Sequence, residues 1–249
     1  MASYGVFADY YDSLTENVEY LRRADYITEV FERLSHNMGL SLDLACGTGS
    51  LTIELFKKGV DIYGIDGSYD MLAQAKEKAD ELGLDILFLC QKMENIDLYG
   101  TIDTCICTLD SINHLVKKEK VQKTFDKVSL FMNKGGYFLF DVNSLYKHQQ
   151  ILGNNTFVYD TDDVFCVWQN SLSENNVVNI QLDFFCAMEN GKDYRRYSEN
   201  FSERAYSHEE IEEMLHNSGF ETAAVYGDLS FEPPKPEEQR IIYVARKVK

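Results

Sequence analysis

Apolar and polar positions change rhythm repeatedly along this chain. Residues 17–38 place Val18, Leu21, Ile27, Phe31 and Leu34 at helical spacing, which predicts an amphipathic helix capped by Asn17 and carrying no chemistry. Residues 41–46 are apolar except for Asp43, as expected of a strand covered on both faces. Helix 50–58, strand 61–66, helix 68–82, strand 85–90 and strand 102–108 follow. Ser50 or Thr48 can cap the first of these helices and Ser68 the second. A Lys-rich helix comes next, broken by Gly135-Gly136, and then a strand from Tyr137 to Val142. Over 156–206 the period falls to two, with Asp-, Asn- and Gly-rich turns between four runs, which predicts an inserted antiparallel sheet. Ser207 and Glu210 form a capping box for helix 208–217, ended by Gly219. Strands at 220–226 and 240–246 close the chain.

Two places along this pattern carry polar residues where a strand should end. Gly47 and Gly49, in Cys46-Gly47-Thr48-Gly49-Ser50, allow a sharp turn and a close approach of a ligand to the backbone. Asp43 lies just before that turn, at the carboxyl edge where open α/β sheets bind ligands, and an acid there suits a ligand with a positive group. Asp66 ends the next strand, 19 residues after Gly47. That spacing puts a carboxylate within reach of a ribose's two hydroxyls. The pair reads as a site for an adenosine-type ligand laid across two neighbouring strands. A nicotinamide-dependent oxidoreductase shares the turn and the distal acid. Against it, Thr52 occupies the place of the third Gly or Ala of G-x-G-x-x-G, and Asp43 suits a pyrophosphate poorly.

The segments LDLACGTGSLT (42–52), IYGIDGSYDMLAQAKEK (62–78) and TLDSINHL (108–115) resemble class I S-adenosylmethionine-dependent methyltransferases. The likeness extends over most of the chain and is least clear over 150–205. It implies a Rossmann-like α/β sheet of seven strands, the last antiparallel, with helices on both faces and a small inserted antiparallel β-sheet. The binding domain would comprise 1–150 and 207–249, and the insert 151–206. It implies S-adenosylmethionine as methyl donor, with Asp43, Ala45, Gly47, Gly49, Asp66, Met71, Met93 and Leu109 as donor-binding residues. Many relatives carry Asp before the Met that follows strand 3, to meet the adenine amino group; here Lys92 stands there, a departure that leaves room for a binding module without chemistry. The F-A-x-x-Y-D segment makes Tyr11 a candidate to face the sulfonium or the acceptor. The S-I-N-H-L run resembles amino-sugar N-methyltransferases, so His114 is a candidate to take or orient a proton on a nitrogen nucleophile. Asp141 and Asn143, at a strand end on the same edge, are candidates for acceptor contacts.

Composition narrows the acceptor. The net charge of −17 disfavours a nucleic acid and leaves a small molecule. The six cysteines contain no C-x-x-C pair, so no metal is expected, and reduced thiols inside predicted strands suit a cytoplasmic setting. The first twelve residues lack an apolar run of signal-peptide length, and no later stretch reaches bilayer length. The insert, which holds Trp168, Arg195 and Arg196, would select the acceptor; mere stabilisation, or a homodimer through this sheet, is its other use.

Overall fold

The computed structural model describes residues 18–161, 164–188 and 193–249. Chain order gives α1 (Tyr20–Arg33), β1 (Ser41–Leu44), α2 (Ser50–Lys57), β2 (Ile62–Asp66), α3 (Tyr69–Glu81), β3 (Phe88–Cys90), β4 (Ile102–Cys107), α4 (Lys118–Phe131) and β5 (Met132–Asn143). Then come β6 (Thr156–Asp160), β7 (Val164–Ser173), β8 (Val177–Ala187), β9 (Tyr194–Arg204), α5 (His208–Asn217), β10 (Phe220–Gly227) and β11 (Arg240–Lys247). Seven strands form one sheet in the order β10-β11-β5-β4-β1-β2-β3, with β11 antiparallel to both its neighbours. Strands β6 to β9 form a second, antiparallel sheet in sequential order.

Burial on both faces explains the continuous apolar runs. All four residues of β1 are buried. One face of the large sheet packs Phe125, Phe138, Phe140 and Tyr243 with α4 and α5, the Phe140 and Tyr243 rings stacking at 5.3 Å. The other packs Tyr26, Ile27 and Phe31 of α1 with Leu51 and Leu55 of α2. The small sheet has its own cluster, including Cys166, Val178, Ile180, Leu182 and Phe184. It is tied to the large one at its last strand, where the Asn113 side-chain amide donates to the Arg204 carbonyl (2.9 Å) and the Tyr206 hydroxyl donates to the Leu115 carbonyl.

Several boundaries differ from the pattern's expectation, each for a local reason. Helix α1 is shorter than 17–38; Asn17 lies outside the described residues, and Ser35, in left-handed backbone, stops the far end. Strand β1 ends at Leu44 because Ala45 is left-handed (φ 61°). Helix α2 starts from Gly49, also left-handed, with no side-chain cap, so neither Ser50 nor Thr48 fills that role. Ser68 does cap α3, accepting from the Met71 N–H. Helix α4 ends at Phe131, before the glycines, and Gly135-Gly136 lie inside β5. A Cβ on Gly136 would come within 2.6 Å of the Asp103 carbonyl oxygen, so that glycine serves a close strand contact rather than a helix end.

The capping box at α5 is complete: the Ser207 hydroxyl accepts from the Glu210 N–H, and the Glu210 carboxylate accepts from the Ser207 N–H. Ser207→Ala should therefore cost about 1 kcal/mol and lower Tm by about 2–4 °C, read by thermal unfolding with donor affinity unchanged.

Candidate active site

The carboxyl ends of β1, β2 and β4 meet at one edge of the large sheet, and two adjoining hollows open there. The larger, about 310 Å³, is lined by Gly47, Asp66, Met71, Met93, Leu109 and His114, with Lys92 on its wall. The smaller, about 40 Å³, reaches inward to Asp43 past Thr48, Leu51 and Thr108. Ala45, Gly47, Leu109 and Ser111 line both. A single elongated molecule can thus touch Asp66 at one end and Asp43 at the other.

The turn between β1 and α2 is held by Asp66. One carboxylate oxygen accepts from the Gly47 N–H (2.9 Å) and the other from the Ser68 N–H (2.7 Å). Burial pushes the Asp66 carboxyl up, and these two bonds oppose the shift. A Cβ on Gly47 would meet nothing within 4 Å; the open space on that side is the cleft. Gly49 differs. Its Cβ would fall 2.9 Å from that of Ala75 and 3.1 Å from the Phe88 ring, and it lines neither hollow, so its bareness serves packing of α2 rather than passage of a ligand.

Asp43 is 2% exposed and has no cationic partner among the described residues. Its one side-chain partner is the Thr52 hydroxyl, which donates to it at 2.5 Å. Burial pushes its carboxyl up to about 7, and the nearby Asp66 charge adds to the shift. Thr52, which sets this turn apart from a dinucleotide fingerprint, is also the residue that satisfies Asp43. An isolated buried carboxylate is costly unless a cation joins it.

The opposite wall is the turn after β4. Leu109 and Asp110 both take left-handed backbone (φ 58° and 55°), a strained state for residues with a Cβ. Asp141 holds it there. Its two oxygens accept from the Leu109 and Asp110 N–H groups (2.9 and 2.7 Å), and Arg240 bridges Asp141 and Asp110 (2.5 and 2.6 Å). Arg23 of α1 approaches Asp141 at 3.6 Å. Burial alone would raise Asp110, but Arg240 and Lys147 outweigh it and hold that carboxyl below its usual range. Asp141 is wholly buried and Asn143 nearly so, which places both beneath the cleft instead of in contact with an acceptor. The α1 helix, expected to be inert, supplies Arg23 to this network.

His114 ends the same turn, its side chain 37% exposed, and faces Glu203 of β9 (Nε2 to Oε1, 3.7 Å). Glu203 is 4% exposed; burial and the Asp110 charge push its carboxyl up. It accepts from the Asn143 amide at 3.1 Å. Nothing in the glycine motif announces Glu203. Its one signal is the alternation of β9, which puts it on the same row as Tyr197 and Phe201, packed against the insert's core. Tyr11 lies outside the described residues.

Comparison with known proteins agrees with this geometry. The model of a methyltransferase domain matches residues 42–136. YqeM of Bacillus subtilis (strain 168), which bears a methyltransferase name, is 34% identical over 247 residues, covering 99% of this chain and 98% of its own. The crystal structure of an S-adenosylmethionine-dependent methyltransferase from Clostridium acetobutylicum superposes with a TM-score of 0.90, at 34% identity over 99% of each chain. This chain belongs to the S-adenosylmethionine-dependent methyltransferases. Its fold is also shared by the sugar N-methyltransferase KedS8 from Streptoalloteichus, with a TM-score of 0.78, 19% identity, and coverage of 96% and 93%. S-adenosylmethionine is the methyl donor of this family. No described helix is long and apolar enough to cross a membrane.

The raised carboxyl at Asp43 makes a stability prediction with a definite sign. Its folded value, about 7, lies above its unfolded one. Its contribution to stability is therefore complete below about pH 4 and lost as pH rises through 7. Asp43→Asn keeps an acceptor for Thr52 and removes the charge. The variant should melt several degrees above the parent at pH 8, with the gap narrowing by pH 5.5 and closing only near pH 4, while binding of S-adenosylmethionine is lost. Thermal melts at both pH values and calorimetric titration read the two effects.

Proposed function

We propose that this methyltransferase moves the methyl group to a nitrogen of a small acceptor. The observation that carries the reading is His114, the one imidazole lining the larger hollow, set with a carboxylate behind it. An amine enters water-exposed sites mostly as a cation and must lose a proton before it can attack. A neutral amine already carries a nucleophilic lone pair, whereas a hydroxyl acceptor must be deprotonated as it attacks. KedS8, a sugar N-methyltransferase, shares this fold and supports the reading. The surplus of acidic residues likewise suits a cationic acceptor better than a polyanion.

In this reading each residue of the cleft has a role. Asp43 takes the donor's ammonium at the inner end, and Asp66 takes the ribose hydroxyls. Gly47 leaves room for the chain between them, with Ala45 and Leu109 on either side. Met71 and Met93 form the apolar slot for the adenine ring, which lacks the usual acidic neighbour because Lys92 stands there. The reaction is an in-line displacement with a good leaving group, so alignment of the two reactants and exclusion of water contribute most of the rate. His114 accepts the proton that the amine gives up. Tyr11 is kept as a candidate for the donor's cationic face, and the inserted sheet as the surface that selects the acceptor or pairs two copies. A cytoplasmic setting completes the reading.

Methyl-labelled S-adenosylmethionine offered with a panel of amines, alcohols and carboxylic acids should place label in the amine fraction; label confined to oxygen would overturn the assignment. Donor binding should release a proton near neutrality, because Asp43 must ionise to meet the ammonium. Affinity should climb between pH 6 and 7.5, and titration heats in buffers of different ionisation enthalpy count the proton. Asp66→Ala should weaken donor binding by about 1–3 kcal/mol; unchanged affinity would remove Asp66 from the site.

A further inference from the structure

Behind His114 lies a group of side chains that the donor does not use. One ligand atom each from Asp110, His114 and Glu203 lies within 4.8 Å of the others. A point between three such atoms is no more than about 2.8 Å from each, the length of an N–H···O bond. Glu203 forms no ion pair with Lys or Arg among the described residues; its near neighbours are the Asn143 amide and two imidazoles, each at 3.7 Å. One of those is His148 Nε2, fully buried and without a hydrogen-bond partner among the described residues. A buried carboxylate lacking a cation beside a buried ring nitrogen lacking a partner is an arrangement short of one positive, hydrogen-bonding group.

The surrounding charge limits what that group can be. Asp141 is matched by Arg240 and Arg23, and Asp110 by Arg240, with Lys147 close by and hydrogen-bonded to the Asn143 side chain (2.8 Å). Arg23 is shared with Asp228 (3.2 Å), so four acids, Asp110, Asp141, Asp228 and Glu203, face three cations, Arg23, Arg240 and Lys147, and one negative charge is left over. Arg240 already occupies one oxygen of Asp110. A divalent ion would bring a surplus of charge next to Arg240 and Lys147, whereas a monovalent ammonium restores balance.

We propose, resting on the nitrogen-transfer reading, that Asp110 and Glu203 form the acceptor's amine subsite and that the acceptor is a primary amine. Its ammonium offers three N–H donors to the three acceptors, Asp110, Glu203 and a His114 ring nitrogen. His114 is the one of the three that lines the cleft. It removes the N–H on that side, leaving the lone pair there. The N–C bond forms as the C–S bond breaks, the C–S electron pair stays on sulfur, and the product is a secondary ammonium. The proton on His114 passes to solvent. Positive charge returns to nitrogen as the bond forms, while its two remaining N–H groups point at two carboxylates. That stabilisation is larger in the transition state than in the neutral amine that precedes it, and the difference accelerates transfer.

The test uses the full chain saturated with S-adenosylhomocysteine and labelled at its histidine rings. Methylammonium chloride should shift the His114 and His148 ring signals saturably at millimolar concentration. Tetramethylammonium, which has the charge but no N–H, should not. Glu203→Gln should weaken methylammonium binding at least tenfold, and the tetramethylammonium comparison in the parent chain decides the matter even if that variant folds poorly. Equal response to both cations, no saturable response, or micromolar binding of MnCl2 that methylammonium cannot displace would each overturn the subsite. Label transfer to amines with no response at His148 sinks the subsite alone. A response here with label found only on oxygen sinks the nitrogen reading instead.

Discussion

A carboxylate removed from water without a cation beside it is one of the least favourable things a protein can bury, and this one does so twice along a single sheet edge. Asp43 is buried in β1, with the Thr52 hydroxyl as its side-chain partner among the described residues. Glu203 is enclosed where the inserted sheet meets the large one, with an amide and two imidazoles. Both respond in the way physics allows, by holding their protons more tightly than usual. The fold must therefore be stable enough elsewhere to tolerate them, and the two apolar layers packed on the large sheet supply that stability.

The contrast with Asp141 sharpens the point. Asp141 is just as buried, yet it has two backbone N–H donors, Arg240 and, farther off, Arg23. Its charge is fully answered inside the protein, so it has nothing left for a ligand. Instead it fixes the left-handed pair Leu109 and Asp110, and through them the cleft wall and His114. Within one small region the acids thus differ by partner: Asp141, matched by cations, fixes the wall, whereas Asp43 and Glu203, without an ion pair to Lys or Arg among the described residues, are the two proposed to meet a charged ligand.

Much of this was legible in the sequence, and the part that was not shares a cause. Asp43, the glycine turn and Asp66 sit within a short strand–helix–strand unit, where spacing alone fixes their relation. The insert's four strands followed from alternation. Arg240 reaching Asp110 across 130 residues, or Glu203 meeting His114, depends on strand order and on how two sheets dock, which local pattern does not encode. Gly49 and Gly136 show the same limit at smaller scale. A glycine in a motif can serve a ligand, a helix end or a neighbour's backbone, and only the neighbour's position tells which.

The strained backbone fits the same scheme. Ala45 and Leu109, both left-handed despite their side chains, line both hollows from opposite walls. Each such residue costs on the order of 1–3 kcal/mol, and Asp141 meets that cost on one wall by anchoring two successive N–H groups. On the other, the turn is anchored by Asp66, whose carboxylate is also the group proposed to meet the ribose. Donor and turn therefore share one side chain: the bond from Gly47 orients Asp66 before any ligand arrives. Preorganisation at this edge thus rests on acids placed early, and the same buried charge that burdens the fold is what is proposed to hold a cationic nucleoside.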